Sequence, residues 1–185
     1  LDDLSISYVR TREPGGTPMA ETLRENMLAE WDESVNGLTE LFIAFAARLQ
    51  HVQGVIRPAL VSGKWVVCDR FTDASYAYQG YGRGLDLEKI AVLEEWVHGD
   101  LQPDLTLYLD LDPEVAALRI ANRERDRMEQ EQMSFFHKVR QGYLARAAAD
   151  ARFRTVDASL PLVDVQRAVC LQVKEFVGLH RQGVS

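Results

Sequence analysis

The stretch Thr11–Thr17, TREPGGT, decides how this chain is read. Before it, Ser5–Val9 alternates and is β-prone, which predicts a strand. Within it, Pro14, Gly15 and Gly16 force a turn. After it, Thr17 can cap a helix that Pro18 opens, with Met19, Leu23, Met27 and Leu28 at helical spacing and an end near Trp31. A strand that runs directly into this turn reads as ending in a functional loop, since ligands gather where loops and helix N-termini converge. Arg12 adds a guanidinium, which grips phosphate through two parallel hydrogen bonds where lysine offers a point charge.

The same alternation continues outward. Asp32–Gly37 reads as a polar loop, and Leu38–Leu60 predicts a long helix that tolerates Pro58 near its end or at a kink. Trp65–Cys68 and Leu105–Leu109 are short apolar runs that predict strands buried on two faces, and an aspartate follows closely on each. Between them lie Asp73–Tyr81, a glycine-rich turn at Gly80–Gly84 and a helix over about Leu87–His98. From Pro113 a helix leads into the charged stretch Arg119–Glu131, followed by a helix at Phe135–Ala149, a strand at Phe153–Asp157 and a helix at Leu162–Leu179. Short apolar strands alternating with amphipathic helices predict an α/β chain with a parallel sheet flanked by helices.

With 185 residues, 46% apolar and 26% charged, the chain reads as one globular domain over 1–185 rather than a disordered one. A net charge of −7 argues against a general nucleic-acid binder, although a local arginine cluster can still attract a phosphorylated small molecule. Cys68 and Cys170 match neither a disulfide framework nor a metal site, and no apolar run reaches membrane-spanning length. A cytoplasmic protein without membrane or nucleic-acid partners is expected.

In an open parallel sheet, ligands bind beyond the carboxyl ends of the strands. Four clusters sit there: Arg12 with Glu13, Asp69 with Arg70, Asp110 with Asp112, and Asp157 with Ala158. Each has a plain alternative. An arginine after a strand is often a surface ion pair, and Asp110 and Asp112 read first as a loop start and a helix cap before Pro113. Arg48 sits among Phe42, Phe45, Ala46 and Ala47, where it either reads the polar edge of a base or snorkels past core phenylalanines. Ser75, Tyr76, Tyr78 and Gln79 offer polar groups near Arg70. Arg119, Arg123, Arg125 and Arg127 form either a solvated helix face or a mobile arginine lid over about 119–135. The histidines show no metal-ligand spacing. No segment has the form GxxxxGK[ST], since the Gly63–Lys64 pair has Pro58 and Trp65 where that loop needs a glycine and a hydroxyl.

Taken together, TREPGGT, AAR at Ala46–Arg48, DRF at Asp69–Phe71, YQGYGRG at Tyr78–Gly84, PDLTLYLD at Pro103–Asp110, DRMEQE at Asp126–Glu131 and VDA at Val156–Ala158 resemble the bacterial thymidylate kinases, in family order over essentially the whole chain. The resemblance implies a P-loop-kinase-like parallel sheet, five-stranded when complete. It also implies transfer of the γ-phosphoryl group of ATP to dTMP with Mg2+, and a homodimer built on long helices such as Leu38–Leu60. Arg12 and Arg70 then hold the dTMP phosphate, and Arg48 faces the thymine edge, with Ser75 and Gln79 also on the nucleotide. Tyr78 lies under the deoxyribose, and Glu13 and Asp69 stand near phosphates and metal. Arg123, Arg125 and Arg127 belong to a catalytic lid, and Asp157 and Ala158 lie on the ATP side. Two departures stand out: Ala44 replaces the family's stacking aromatic, leaving Phe45 or Phe42 to substitute, and the lid arm is one residue short and lacks its glycine. The first strand, central in the family sheet, and its phosphate loop are expected to precede Leu1, and without them the chain is expected to be inactive alone. The rivals are a non-catalytic nucleotide-binding protein and a kinase for another deoxynucleoside or its monophosphate.

Overall fold

The computed structural model describes residues 1–121 and 126–182, with side chains to residue 179. Two parallel strand pairs form its sheet elements: β1 (Tyr8–Arg12) pairs with β2 (Trp65–Asp69), and β3 (Thr106–Asp110) pairs with β4 (Phe153–Asp157). The first strand begins three residues later than the sequence pattern suggests. The ladder runs from Tyr8 opposite Trp65 to Arg12 opposite Asp69, and Glu13 N–H extends it by donating to the Asp69 carbonyl at 2.9 Å. Pairing to β2, rather than the apolar alternation of Ser5–Val9, sets its limits. Arg12 and Asp69 therefore lie side by side at the carboxyl end of the sheet.

Among the described residues no ladder joins the two pairs. Their apolar centres are correspondingly open: Val67 of β2 is 42% exposed and Leu109 of β3 49%, whereas Phe153 and Val156 of β4 are buried. The expectation that the β2 and β3 runs are buried on both faces does not hold for this chain as it stands.

Helices fix the rest. Thr17 caps α1 (Pro18–Leu28) by accepting from Ala20 N–H at 3.2 Å, with Pro18 at the first helical position where no N–H is needed. The long predicted helix is α2 (Gly37–His51), a π-helical turn at Val52–Ile56 and α3 (Arg57–Val61), so Pro58 falls in the first turn of a new segment. A short α4 (Thr72–Ser75) passes into a second π-helical stretch, Tyr76–Gly82, followed by α5 (Leu87–Val97). The helix from Pro113, α6, stops at Arg119; α7 spans Met133–Ala149 and α8 Leu162–Gln182. Leu41, Phe45, Tyr76 and Ile90 make one core cluster, and Ala77, Met128, Phe135 and Val139 a second. Gly142 lets α7 close on the π stretch, since a Cβ there would stand 2.8 Å from Ala77 Cα.

A buried carboxylate joins these parts. Asp73 of α4 pairs with Arg146 Nε at 2.8 Å and Arg152 Nη1 at 2.8 Å, which ties the β2 side to α7 and to the start of β4. Removing one partner of a buried ion pair leaves charge without compensation. Asp73→Asn is expected to destabilise the protein by about 3 kcal/mol, read as a lowered urea midpoint. An unchanged midpoint contradicts this role.

His98 at the end of α5 is fully enclosed: Thr72 O–H donates to Nε2 at 2.5 Å and Nδ1–H donates to the Leu101 carbonyl at 2.9 Å. Burial first, and the nearby Arg48 charge second, hold its pKa below the ordinary 6.5. The unfolded chain therefore takes up this proton before the folded one does, so stability falls as pH drops through and below about 6.5. His98→Gln is expected to flatten that part of the stability–pH curve, and an unaltered slope refutes the assignment.

Candidate active site

Beyond the carboxyl ends of the strands lies a cleft of about 390 Å³ lined by Glu13, Arg24, Arg48, Arg70, Ser75 and Gln79, with Tyr78, Tyr108, Phe136 and Tyr143 among its aromatic walls. That size falls within the range of small-molecule sites, roughly 300–1,000 Å³.

Its foundation is Glu13, 3% exposed. Arg48 Nε donates to Oε2 at 2.7 Å, and His51 Nδ1–H donates to Oε1 at 2.9 Å. His51 Nε2 is then left to accept from the Thr11 hydroxyl at 2.6 Å. Gly16 makes this possible: its φ is +86°, and a Cβ would stand 2.4 Å from His51 Cδ2. Arg48 also donates from Nη1 to Ser75 Oγ at 3.2 Å, and its guanidinium lies 4.5 Å from the Phe45 ring centroid and 5.5 Å from that of Phe71. Arg48 is thus a buried, oriented cation on the cleft wall and does not snorkel. Both oxygens of Glu13 are engaged, and the carboxylate positions Arg48.

Arg70, directly after β2, has a left-handed backbone with φ of 68°, an uncommon and strained conformation for a side chain of this kind. Cys68 Sγ donates to its carbonyl at 3.0 Å, and burial above all pushes the Cys68 thiol pKa up, which keeps that donor protonated. The Arg70 guanidinium stands 5.1 Å from the Tyr78 ring centroid. Arg12 is turned to Glu21, with Nη2 2.8 Å from Oε2, and is half exposed. A third arginine completes the group: Arg24 on α1 lines the cleft and donates from Nη1 to the Pro14 carbonyl at 3.2 Å. Burial depresses its pKa most, and repulsion from Arg12 and Arg70 depresses it further. The sequence reading missed Arg24, because within α1 it looks like any solvent-facing helix residue.

The expectation for the stacking aromatic is corrected. Phe45 is buried in the core beneath Arg48 and Phe42 is 55% exposed, and neither lines the cleft, so neither is placed to stack on a bound base. Arg127 anchors the foot of the predicted lid, donating from Nη2 to the Met27 carbonyl at 2.8 Å and pairing with Glu40 at 2.9 Å. Arg123 and Arg125 lie outside the described residues. Arg119 ends α6 and donates to the Ala158 carbonyl at 2.8 Å, and Asp157 accepts from Ser159 N–H at 2.8 Å, so Asp157 and Ala158 form a tied turn outside the cleft. Asp112 caps α6, as its plain reading foresaw, whereas Asp110 ends β3 and takes two hydrogen bonds from Arg140.

Comparison with known proteins accords with this arrangement. Residues 1–169 match the family described as thymidylate kinase. A thymidylate kinase of Pseudomonas savastanoi pv. phaseolicola is 56% identical over 178 residues, 95% of this chain and 85% of that protein. One of Teredinibacter turnerae is 51% identical over 179 residues, covering 96% and 87%. Among solved structures, thymidylate kinase from Ehrlichia chaffeensis superimposes with a TM-score of 0.72 at 31% identity, over 91% of this chain and 80% of that one. The chain, with its P-loop-kinase α/β fold, belongs to the thymidylate kinase family.

Proposed function

We propose that the cleft binds dTMP and presents its phosphate to the γ-phosphoryl group of ATP, giving dTDP and ADP. The observation that carries this reading is that Arg24 and Arg70 both line the cleft beyond the carboxyl ends of β1 and β2, with Arg12 at the end of β1 opposite Asp69 in the ladder. Arg24 and Arg70 bring two guanidiniums to the cleft with no carboxylate hydrogen-bonded to either among the described residues, and a phosphate dianion complements them. The family assignment favours this over a non-catalytic nucleotide binder or a kinase with another acceptor.

In this reading Arg70 and Arg24 hold the acceptor phosphate, and Arg12 joins them by leaving Glu21. Arg48, fixed by Glu13 and Ser75, donates to a carbonyl on the base edge beside Gln79. Tyr78 supports the sugar. An oxygen of the bound phosphate attacks the γ-phosphorus in line, the bond to the β-phosphate oxygen breaks, and no covalent enzyme intermediate forms. Positioning and charge compensation are what the protein supplies. The family implies a divalent metal, and Mg2+ is the ion proposed. The described residues contain no group of three or more metal-ligating side chains. Glu13 and Asp69 are the carboxylates proposed near the ion, Glu13 already holding Arg48 and His51, and no step is assigned to the ion.

A strand and phosphate loop preceding Leu1 are proposed to join β2 to β3 and to bring ATP, with Asp157 and Ala158 near its base. The openness of Val67 and Leu109 between the two strand pairs supports this. The stripe Leu38, Phe42 and Leu49 on α2, 37%, 55% and 44% exposed, is proposed as the homodimer face. Among the described residues no helix is long and apolar enough to cross a membrane, and the cytoplasm is the proposed location.

In the full-length protein with its own N-terminal segment, Arg70→Ala is expected to lower kcat/KM for dTMP at least about a hundredfold and Arg24→Ala at least about tenfold. Rates within twofold of the unsubstituted enzyme, measured as dTMP-dependent ADP release, refute the phosphate assignment. Phe42→Glu is expected to convert the dimer to monomer in light scattering coupled to gel filtration; a dimer that persists places the interface elsewhere.

A further inference from the structure

Glu40 of α2 is fully shielded from solvent. Its Oε1 accepts from Arg83 Nη2 at 2.8 Å and pairs with Arg127 Nη1 at 2.9 Å, and its Oε2 accepts from Arg83 Nε at 3.0 Å and from Gln79 Nε2 at 3.5 Å. These partners come from two segments. Gln79 lies in the π-helical stretch that Arg83 follows, and Arg127 stands at the foot of the lid, where Glu131 also pairs with Arg83 at 2.6 Å. A carboxylate buried this completely persists only with its charge balanced, and the two arginines balance it.

The contact with Gln79 has a chemical consequence. A carboxylate accepts and cannot donate, so it turns the amide nitrogen of Gln79 toward itself and the amide oxygen away. Gln79 is 4% exposed and lines the cleft. Gln79 therefore presents an acceptor beside the Arg48 donor. A pyrimidine ring with an N–H at position 3 and a carbonyl at position 4 complements that pair. A cytosine ring, with a lone pair at position 3 and an amine at position 4, opposes both groups.

We infer that Glu40 sets the base selectivity of the site, as a positioning residue that fixes the Gln79 amide with its oxygen toward the cleft. This rests on the dTMP reading above. It goes further in assigning the choice between pyrimidines to a buried residue that does not line the cleft.

The test compares kcat/KM for dTMP and dCMP in the full-length protein and in Glu40→Gln, Glu40→Asp and Arg127→Gln. Glu40→Gln offers Gln79 a donor as well as an acceptor and frees the amide to turn. The preference for dTMP over dCMP is expected to fall at least about tenfold, through a raised KM for dTMP with a smaller change in kcat. Glu40→Asp keeps the charge for the two arginines while drawing back from Gln79, and it is read in the same way if Glu40→Gln does not fold. Arg127→Gln loosens the same cluster without touching Gln79, and its preference is expected to stay within about twofold of the unsubstituted enzyme. A preference kept by whichever Glu40 variant folds, an equal loss in Arg127→Gln, or failure of both Glu40 variants to fold overturns the inference and leaves Glu40 an architectural role. An unsubstituted enzyme that does not phosphorylate dTMP instead overturns the underlying reading.

Discussion

Everything at this site depends on the burial of one carboxylate. Glu13 emerges from the end of β1 into a space where solvation is lost, and a lone charge there is unaffordable. Arg48 and His51, three residues apart on α2, lie on the same helix face and reach it together. The contact fixes α2 against the sheet, holds the glycine turn under His51, and leaves the rest of the Arg48 guanidinium facing Ser75 and the cleft. One interaction thus orders the turn after β1, the inner face of α2 and a candidate base-reading group.

The same device recurs away from that point. Asp73 takes Arg146 and Arg152, Asp110 takes Arg140, and Glu40 takes Arg83 and Arg127. Each carboxylate draws arginines from elements distant in sequence, so the polar contacts specify register between parts that apolar packing alone would let slide. This matters because the apolar centre of the sheet is weak as it stands: Val67 and Leu109 are open, and the best-packed apolar clusters lie between helices and the π stretch. Arginine suits the task, since its planar fork meets both oxygens of a carboxylate, as Arg140 does with Asp110.

Much of this was legible in the residue order. Pro18 after Thr17, the apolar runs before Asp69 and near Asp110, and the helical spacing from Leu38 onward announced the elements, because caps and periodicities act locally. What escaped depended on partners far along the chain. The limits of β1 came from pairing with β2, the role of His51 from a glutamate 38 residues away, and that of Arg24 from two other arginines meeting it in space. The tether of Arg127 escaped as well, because nothing local reveals the buried Glu40 that holds it. The placement of Phe45 in the core likewise follows from which face of α2 meets Tyr76 and Ile90.

The measurement that bears most directly on this account is a crystal structure of the protein with dTMP bound. The account predicts the phosphate between Arg70 and Arg24, with Arg12 released from Glu21, and the thymine edge against Arg48 and the Gln79 amide oxygen. A nucleotide bound with its base toward the arginines of β1 and β2, or outside the cleft altogether, contradicts it.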